Sequence, residues 1–181
     1  MLEVLREPLE SGSVCISRAA RQAQFPARFQ LVAAMNPSPT GSLNDGRSSC
    51  EQILCYLNRI SGPFLDRIDL QVDVPKLPSN DFSEQVKSRG ESSKVVRKRV
   101  IQAHQLQLKR CGKTNAQLGS KEVEQYCKLE KPEQLFLQQA VEKLGLSLRT
   151  YHRVLKVART IADLAHSSEI NRHHLAEALN Y

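Results

Sequence analysis

The spacing of apolar residues changes along the chain, and it predicts two kinds of secondary structure. Up to about residue 78, apolar side chains run together or alternate with polar ones over short stretches, at 14–16, 29–34 and 68–74. These patterns predict β-strands, because successive side chains of a strand point to opposite faces. The run at 29–34 is continuous, as is typical of a buried strand. The polar stretch between the first two strands predicts a long hairpin.

Helical periodicity marks the start of the chain and everything after residue 78. Leu2, Leu5 and Leu9 recur at helical spacing, and turn-forming residues fill 37–50 ahead of a short predicted helix at 51–59. Beyond this point the pattern predicts only helices, over 93–110, 120–129, 132–144, 147–165 and 171–180.

The ends of the later helices carry recognisable signals. Proline suits a first helical position, glycine a helix end, and serine or asparagine an N-cap. Such residues stand at four expected ends: Pro132, Gly145, Ser147 and Asn171. We therefore predict an α/β part over residues 1–78, followed by an all-α domain over residues 79–181.

The charge is concentrated in one segment. Residues 84–113 hold nine basic and two acidic side chains, which equals the whole net charge of +7. A positive stripe of this kind favours contact with nucleic acid, centred on Arg97, Lys98 and Arg99. The alternatives are a solvated helix face or a surface that meets an acidic neighbouring subunit.

Composition indicates folded domains in the cytoplasm. Hydrophobic residues make up 40% and charged residues 25% of the 181 residues, which is typical of globular proteins. No apolar run is long enough to span a bilayer, and no signal peptide opens the chain. The five cysteines form no CxxC pair, so we predict reduced thiols and no metal site. Because the chain starts inside a predicted helix, we expect it to be truncated.

Four segments resemble the magnesium chelatase-like family of AAA+ ATPases, of the ComM/YifB type. They occur in the family's order: 2–12 resembles the helix after the Walker B strand, 25–37 the sensor 1 strand, 57–70 the arginine-finger segment and 146–164 the sensor 2 helix. The resemblance implies the carboxy-terminal part of such an ATPase, without its Walker A and Walker B motifs. The implied fold is an α/β remnant of the AAA+ core (the hairpin plus the sensor 1 strand), followed by an all-α helical lid.

The resemblance also implies roles for three residues around the terminal phosphate of ATP. Asn36 takes the sensor 1 position, and Arg67 is the arginine finger that acts on a neighbouring subunit. Arg149 is the sensor 2 arginine, with Arg153 one turn further on as a weaker candidate. ATP and Mg²⁺ would be held by residues outside this chain, which we expect to hydrolyse nothing alone.

Each of these residues also has a plainer explanation. An asparagine before a proline can simply turn the chain, and an arginine on a helix is often an exposed surface residue. Arg67 stands between Asp66 and Asp69, so it could form an ordinary surface ion pair, which contributes little. The residues by themselves do not decide between these alternatives for Asn36, Arg67 or Arg149.

The resemblance implies a ring, a hexamer, that acts on DNA as a helicase or in branch migration during natural transformation. Arg18 and Arg21 lie at the hairpin tip, where six copies around a pore could hold a phosphate backbone through charge. One alternative is a helical nucleic-acid-binding module without motor function, and another is a subunit of a magnesium chelatase.

One motif points to nucleotide binding only superficially. Gly112-Lys113-Thr114 resembles the end of a phosphate-binding loop, but the first glycine of that motif would fall at Gln107. The segment also follows a predicted helix rather than a strand. We predict a helix-ending turn at this point.

Overall fold

The computed structural model describes residues 2–18, 21–42, 46–75 and 90–181. The chain divides into two compact units, Met1–Ile68 and Asp69–Tyr181. The predicted domain boundary between residues 78 and 79 lies outside the described residues.

The first unit contains a two-stranded sheet and short helices. A 3-10 turn at Leu2–Leu5 leads into helix α1 (Arg6–Ser11), which is followed by strands β1 (Ser13–Arg18) and β2 (Arg21–Pro26). The strands pair antiparallel, from Ser13 opposite Pro26 to Arg18 opposite Arg21. Helices α2 (Cys50–Leu57) and α3 (Gly62–Leu65) complete the unit.

A glycine fixes the base of this hairpin. Gly12 ends α1 in the left-handed conformation, with φ of 68°, and its N–H donates to the carbonyl of Pro8 at 2.9 Å. Its own carbonyl accepts the N–H of Ala27 at 2.8 Å, just beyond β2. A side-chain carbon on Gly12 would lie 3.0 Å from Cγ of Arg28. Both the conformation and the close approach therefore require glycine here.

The hairpin was expected, but its second strand lies elsewhere in the sequence. The structure places β2 inside the stretch that we predicted to be a polar connection, and residues 29–34 form no strand. Phe29 and Val32 are 47% and 84% exposed. A strand needs a hydrogen-bonding neighbour as well as an apolar sequence, and among the described residues only β1 and β2 pair.

The predicted strand at 68–74 is also absent. Residues 68–75 belong to no helix or strand, and the N–H of Gln71 donates to the carbonyl of Tyr181 at 2.9 Å. Val72 and Val74 are 66% and 83% exposed. The prediction of a strand was wrong here, because no strand lies beside this segment in the described residues to share backbone hydrogen bonds with it.

The second unit is helical, as predicted, and its helix ends match the sequence signals closely. The helices are α4 (Ser93–Cys111), α5 (Ser120–Tyr126), α6 (Lys131–Leu144), α7 (Leu148–Leu164) and α8 (Arg172–Leu179). Gly145 ends α6 in the left-handed conformation, and Ser147 Oγ accepts the N–H of Thr150 at 3.2 Å to cap α7. Asn171 caps α8 in the same way. Within the described residues no helix is long and apolar enough to cross a membrane.

The core of the second unit lies between α5, α6, α7 and α8. Leu137, Leu175 and Val123 are completely buried there. Helix α7 supplies half of the remaining buried core residues, which are Val154, Leu155, Ala158 and Ala162. Helices α4, α5 and α8 pack on α7, α6 packs on α8, and α7 carries the predicted sensor 2 position at its start.

A buried polar cluster ties the end of α4 to α7. The carboxylate of Asp163, which is 1% exposed, accepts hydrogen bonds from Arg110, from Asn115 at 2.9 Å and from Arg159 at 3.2 Å. Arg159 is also buried, and it donates to the carbonyls of Ser167 and Ser168 at 2.6 and 2.8 Å. The Asp163 carboxylate is thus paired and hydrogen-bonded inside the helical unit, and of its two arginine partners Arg110 also reaches solvent.

Candidate nucleotide-sensing and nucleic-acid-binding residues

Asn36 begins a compact turn rather than ending a strand. Directly after it and Pro37, Ser38 is fully buried and donates from Oγ to the carbonyl of Ser42 at 2.7 Å. The N–H of Gly41 donates back to the carbonyl of Ser38 at 3.1 Å. Asn36 itself is exposed. The turn explains why asparagine and proline suit this position, and it leaves the amide accessible to a ligand.

Arg67 is positioned by the short helix α3. Ser61 Oγ accepts the N–H of Phe64 at 3.2 Å to start the helix, and the Phe64 ring is buried with 6% exposure. The Arg67 side chain turns back over this helix, where Nη1 donates to the carbonyl of Pro63 at 2.5 Å. Only 15% of the side chain is exposed.

The guanidinium of Arg67 has one carboxylate partner and one donor without an acceptor. Nη2 donates to Oε2 of Glu10, a residue 57 positions earlier in the last turn of α1. Nε is buried and has no hydrogen-bond partner. The sequence suggested the neighbouring Asp66 and Asp69 as ion-pair partners and gave no indication of Glu10. No local spacing signals a contact across 57 residues.

Arg149 lies in the first turn of α7, two residues after the Ser147 cap, as predicted. It is exposed, at the helix end where free backbone N–H groups and the helix dipole favour anions. Arg153, one turn later, lines a small cleft of about 100 Å³ together with Thr150 and Tyr181. Asn36 and Arg67 belong to the first compact unit, and Arg149 belongs to the second.

The hairpin brings two of the predicted nucleic-acid residues together. Arg18 and Arg21 stand opposite each other as the last pair in the register of β1 and β2. Arg21 is exposed.

The first half of α4 is basic and fully exposed. Every residue over 93–102 is exposed, including Arg97 and Lys98, and burial begins at Ala103. Arg99 forms a two-point ion pair with Glu91, at 2.8 and 3.1 Å, so part of its charge is neutralised locally. Two further basic residues of the predicted stripe, Lys87 and Arg89, lie outside the described residues.

Gly112, Lys113 and Thr114 form a helix-ending turn, which confirms the prediction. Gly112 ends α4 in the left-handed conformation, with its N–H on the carbonyl of Leu108 at 2.8 Å. Lys113 pairs with Glu122 at 2.6 Å, and this hydrogen bond lowers the pKa of the Glu122 carboxyl. These three residues therefore end a helix, and they do not form a phosphate-binding loop.

The thiols are unpaired, as predicted. Cys15, Cys50 and Cys55 are exposed, whereas Cys127 is buried in the helical core. Burial raises the pKa of the Cys127 thiol to about 11, so it stays protonated at neutral pH. In the described ranges, no group of three or more histidine, cysteine or acidic side chains converges as metal ligands would.

Two matches to a single protein family cover nearly the whole chain. Residues 1–82 match the family described as "Magnesium chelatase, subunit ChlI", and residues 90–181 match "Magnesium chelatase, subunit ChlI C-terminal". The chain belongs to the magnesium chelatase-like family. The resemblance found in the four sequence segments is thereby confirmed.

Relatives of this magnesium chelatase-like chain align with it along its entire length. It is 55% identical to the competence protein ComM of Haemophilus influenzae over 100% of the chain. It is 51% identical to the uncharacterized protein YifB of Escherichia coli and 35% identical to an uncharacterized protein of Mycobacterium bovis, each over 99% of the chain. The chain covers 36% of the length of each of these relatives.

Proposed function

We propose that this magnesium chelatase-like chain supplies Asn36, Arg67 and Arg149 to the ATP sites of a AAA+ ring motor that acts on DNA. The observation that carries the proposal is the guanidinium of Arg67. It is mostly withdrawn from solvent, yet its Nε has no acceptor. A buried donor without a partner is costly in a folded protein, and an incoming anion is one way to satisfy it.

The chemistry of Arg67 suits a phosphate. The planar guanidinium presents several N–H donors in a fixed arrangement that matches phosphate oxygens, and it stays charged at all relevant pH values. An arginine supplied to the terminal phosphate stabilises the charge that develops during transfer. To contact a phosphate, the Arg67 side chain must break its hydrogen bonds to the carbonyl of Pro63 and the carboxylate of Glu10.

The other two residues fit complementary roles. The exposed amide of Asn36 can orient a water or donate to a phosphate without adding charge. Arg149 lies where a helix N-terminus already favours anions, so its charge and the backbone donors would act on the same group. Movement of α7 would carry Arg149 with it, which couples nucleotide contact to the helical unit.

The described residues fit only the terminal-phosphate side of an ATP site. Gly112-Lys113-Thr114 is committed to ending α4, and Lys113 is paired with Glu122. ATP with Mg²⁺ supplies a transferable phosphoryl group, and its α- and β-phosphates would be held by a part of the protein outside these 181 residues. This division agrees with a chain that covers 36% of its relatives.

Two observations favour DNA as the substrate: the name of one relative and the basic residues of the hairpin. A relative with 55% identity is named a competence protein, and we extend that role to this chain as part of the proposal. The hairpin register brings Arg18 and Arg21 together, and six such hairpins in a hexameric ring would line a basic pore. Binding of this kind depends on phosphates and not on base sequence.

The test is ATP turnover by the protein that contains both this chain and its nucleotide-binding part. Arg67→Ala is expected to lower turnover at least about 1000-fold while ATP affinity stays within about two-fold of the parent. Arg59→Ala is the matched control, since Arg59 is an exposed arginine of the same segment. Turnover of Arg67→Ala that equals the control would remove Arg67 from this role.

A second candidate function is supported by α4 alone. Its exposed basic half would bind nucleic acid without any motor activity. The 181-residue chain should then bind a DNA duplex with an affinity that falls steeply with salt, and Arg97→Glu with Lys98→Glu should abolish the binding. Lys121→Glu with Lys128→Glu gives the same charge change at exposed positions of the same unit. If both pairs of substitutions weaken binding equally, α4 is not the binding surface.

A further inference from the structure

Arg67 is held inside its own subunit by a residue that the family resemblance did not single out. Glu10 lies in the last turn of α1 and contacts Nη2 of Arg67, while the carbonyl of Pro63 accepts from Nη1 at 2.5 Å. Both ends of the guanidinium are therefore occupied within the first unit. In this arrangement the Arg67 side chain is largely withdrawn from solvent, with 15% exposure.

We propose that Glu10 restrains Arg67 until the terminal phosphate of a nucleotide on a neighbouring subunit displaces the carboxylate. The proposal rests on the function proposed above for Arg67 and adds its regulation. In this proposal Glu10 influences the site through its contact with Arg67, so it is a positioning residue that keeps the arginine out of the site before assembly.

The charges explain why such a contact would inhibit. A carboxylate beside the guanidinium neutralises the positive charge that Arg67 would bring to the phosphate. As long as Glu10 remains bound, Arg67 offers less stabilisation to developing negative charge. Replacement by phosphate exchanges one charge-assisted hydrogen bond for stronger ones, because a phosphate carries more charge and more acceptor oxygens.

The exposure of the partners explains why the restraint can be released. The Glu10 side chain is 47% exposed, so solvent and counter-ions reach the ion pair. Water at the carboxylate end screens the pair, so it is weaker than an ion pair whose two partners are both buried. The unpaired Nε also favours release, because it has no acceptor while Arg67 is bound to Glu10 and can gain one when the side chain moves. Glu10 binds Arg67 weakly and the phosphate of a neighbouring subunit would bind it more strongly. Arg67 would therefore change partners when the subunits assemble.

The experiment compares four variants of the protein that carries the nucleotide-binding part together with this chain: Glu10→Gln, Arg67→Ala, the double variant and the control Glu7→Gln. Glu10→Gln removes the charge but keeps the shape, so folding should be preserved. Glu7 lies on the same helix and is also exposed. ATP turnover is measured against subunit concentration, and ATP affinity is measured separately with a fluorescent ATP analogue.

Glu10→Gln is expected to lower the subunit concentration for half-maximal turnover by about two- to five-fold, the range of an ion pair that water screens from one side. ATP affinity should not change, and Glu7→Gln should behave like the parent. The double variant should match Arg67→Ala, because the restraint acts only through the arginine. A purely structural role of Glu10 would not lower the concentration needed for turnover.

Two results would overturn the restraint. If Glu10→Gln reduces maximal turnover at unchanged ATP affinity, Glu10 helps Arg67 to act and does not hold it back. If Glu10→Gln matches Glu7→Gln in every measurement, the ion pair has no role in turnover. Failure of the underlying function is recognised separately, since Arg67→Ala would then keep parental turnover.

Discussion

Removal of the Asp163 carboxylate should destabilise the helical unit more than any surface change. Asp163 is 1% exposed and accepts hydrogen bonds from Arg110, Asn115 and Arg159. In Asp163→Ala the guanidinium of Arg159, whose side chain is 4% exposed, would keep only the carbonyls of Ser167 and Ser168 as partners. A buried positive charge would be left without its counter-charge.

Breaking a buried ion pair by removing one partner costs about 3–5 kcal/mol. The whole stability of a domain is about 5–15 kcal/mol, so this one substitution removes a large part of it. With a urea dependence of about 2 kcal/mol per molar, the unfolding midpoint should fall by about 1.5–2.5 M. Asp163→Asn should lose most of the same stability, because its amide cannot accept from every donor around it and carries no charge.

The assay is urea unfolding of the 181-residue chain, followed by the helical circular dichroism signal. Glu124→Gln is the control, since Glu124 is an exposed carboxylate of the same unit. A double-mutant cycle between Asp163→Ala and Arg110→Ala then measures how far the two side chains depend on each other. A loss below about 1 kcal/mol for Asp163→Ala, with an unchanged urea slope, would show that desolvation of these charges cancels their attraction, and would refute the stabilising role of the cluster.

Three further outcomes follow from the structure. Cys127, whose thiol pKa is raised to about 11 by burial, should resist alkylation at pH 8 under conditions that label exposed Cys15 completely, and equal labelling by mass spectrometry would contradict its burial. Burial and the charge of Arg159 lower the pKa of His174, so its contribution to folding is present above about pH 6.5 and is lost as the pH falls below that value. His174→Gln should flatten this part of the stability profile, and an unaltered profile would exclude His174 as its source. Gly12→Ala should cost the first unit at least about 1–2 kcal/mol in thermal unfolding because φ is 68°, whereas Gly62→Ala, at an open position, should cost less; similar losses would contradict the proposed strain.

Some of the expected outcomes depend on subunit assembly and nucleotide binding, and others do not. The tests on Asp163, Cys127 and His174 concern the chain alone and hold whatever the protein does. The tests on Arg67 and Glu10 need the nucleotide-binding part, because the proposed site is completed by residues outside this chain. A negative result in the stability tests therefore does not affect the turnover predictions, and a negative result for turnover does not affect the stability predictions.

The sequence by itself determined the helical unit and the family. Helix ends at Gly145, Ser147 and Asn171 were predictable because capping depends on a few neighbouring residues. The turn at Gly112 was predictable for the same local reason. The order of four family segments was likewise legible from the residues alone, and it led to Asn36, Arg67 and Arg149.

Tertiary structure decided which strands pair and which charges meet. The apolar run at 29–34 was expected to be a strand, but pairing requires a partner backbone, and hydrophobicity in one segment does not reveal whether a partner lies beside it. The contact of Arg67 with Glu10 joins residues 57 positions apart, and that of Arg110 with Asp163 joins residues 53 apart. Such contacts depend on how separate elements pack in space, and no local pattern in the sequence records them.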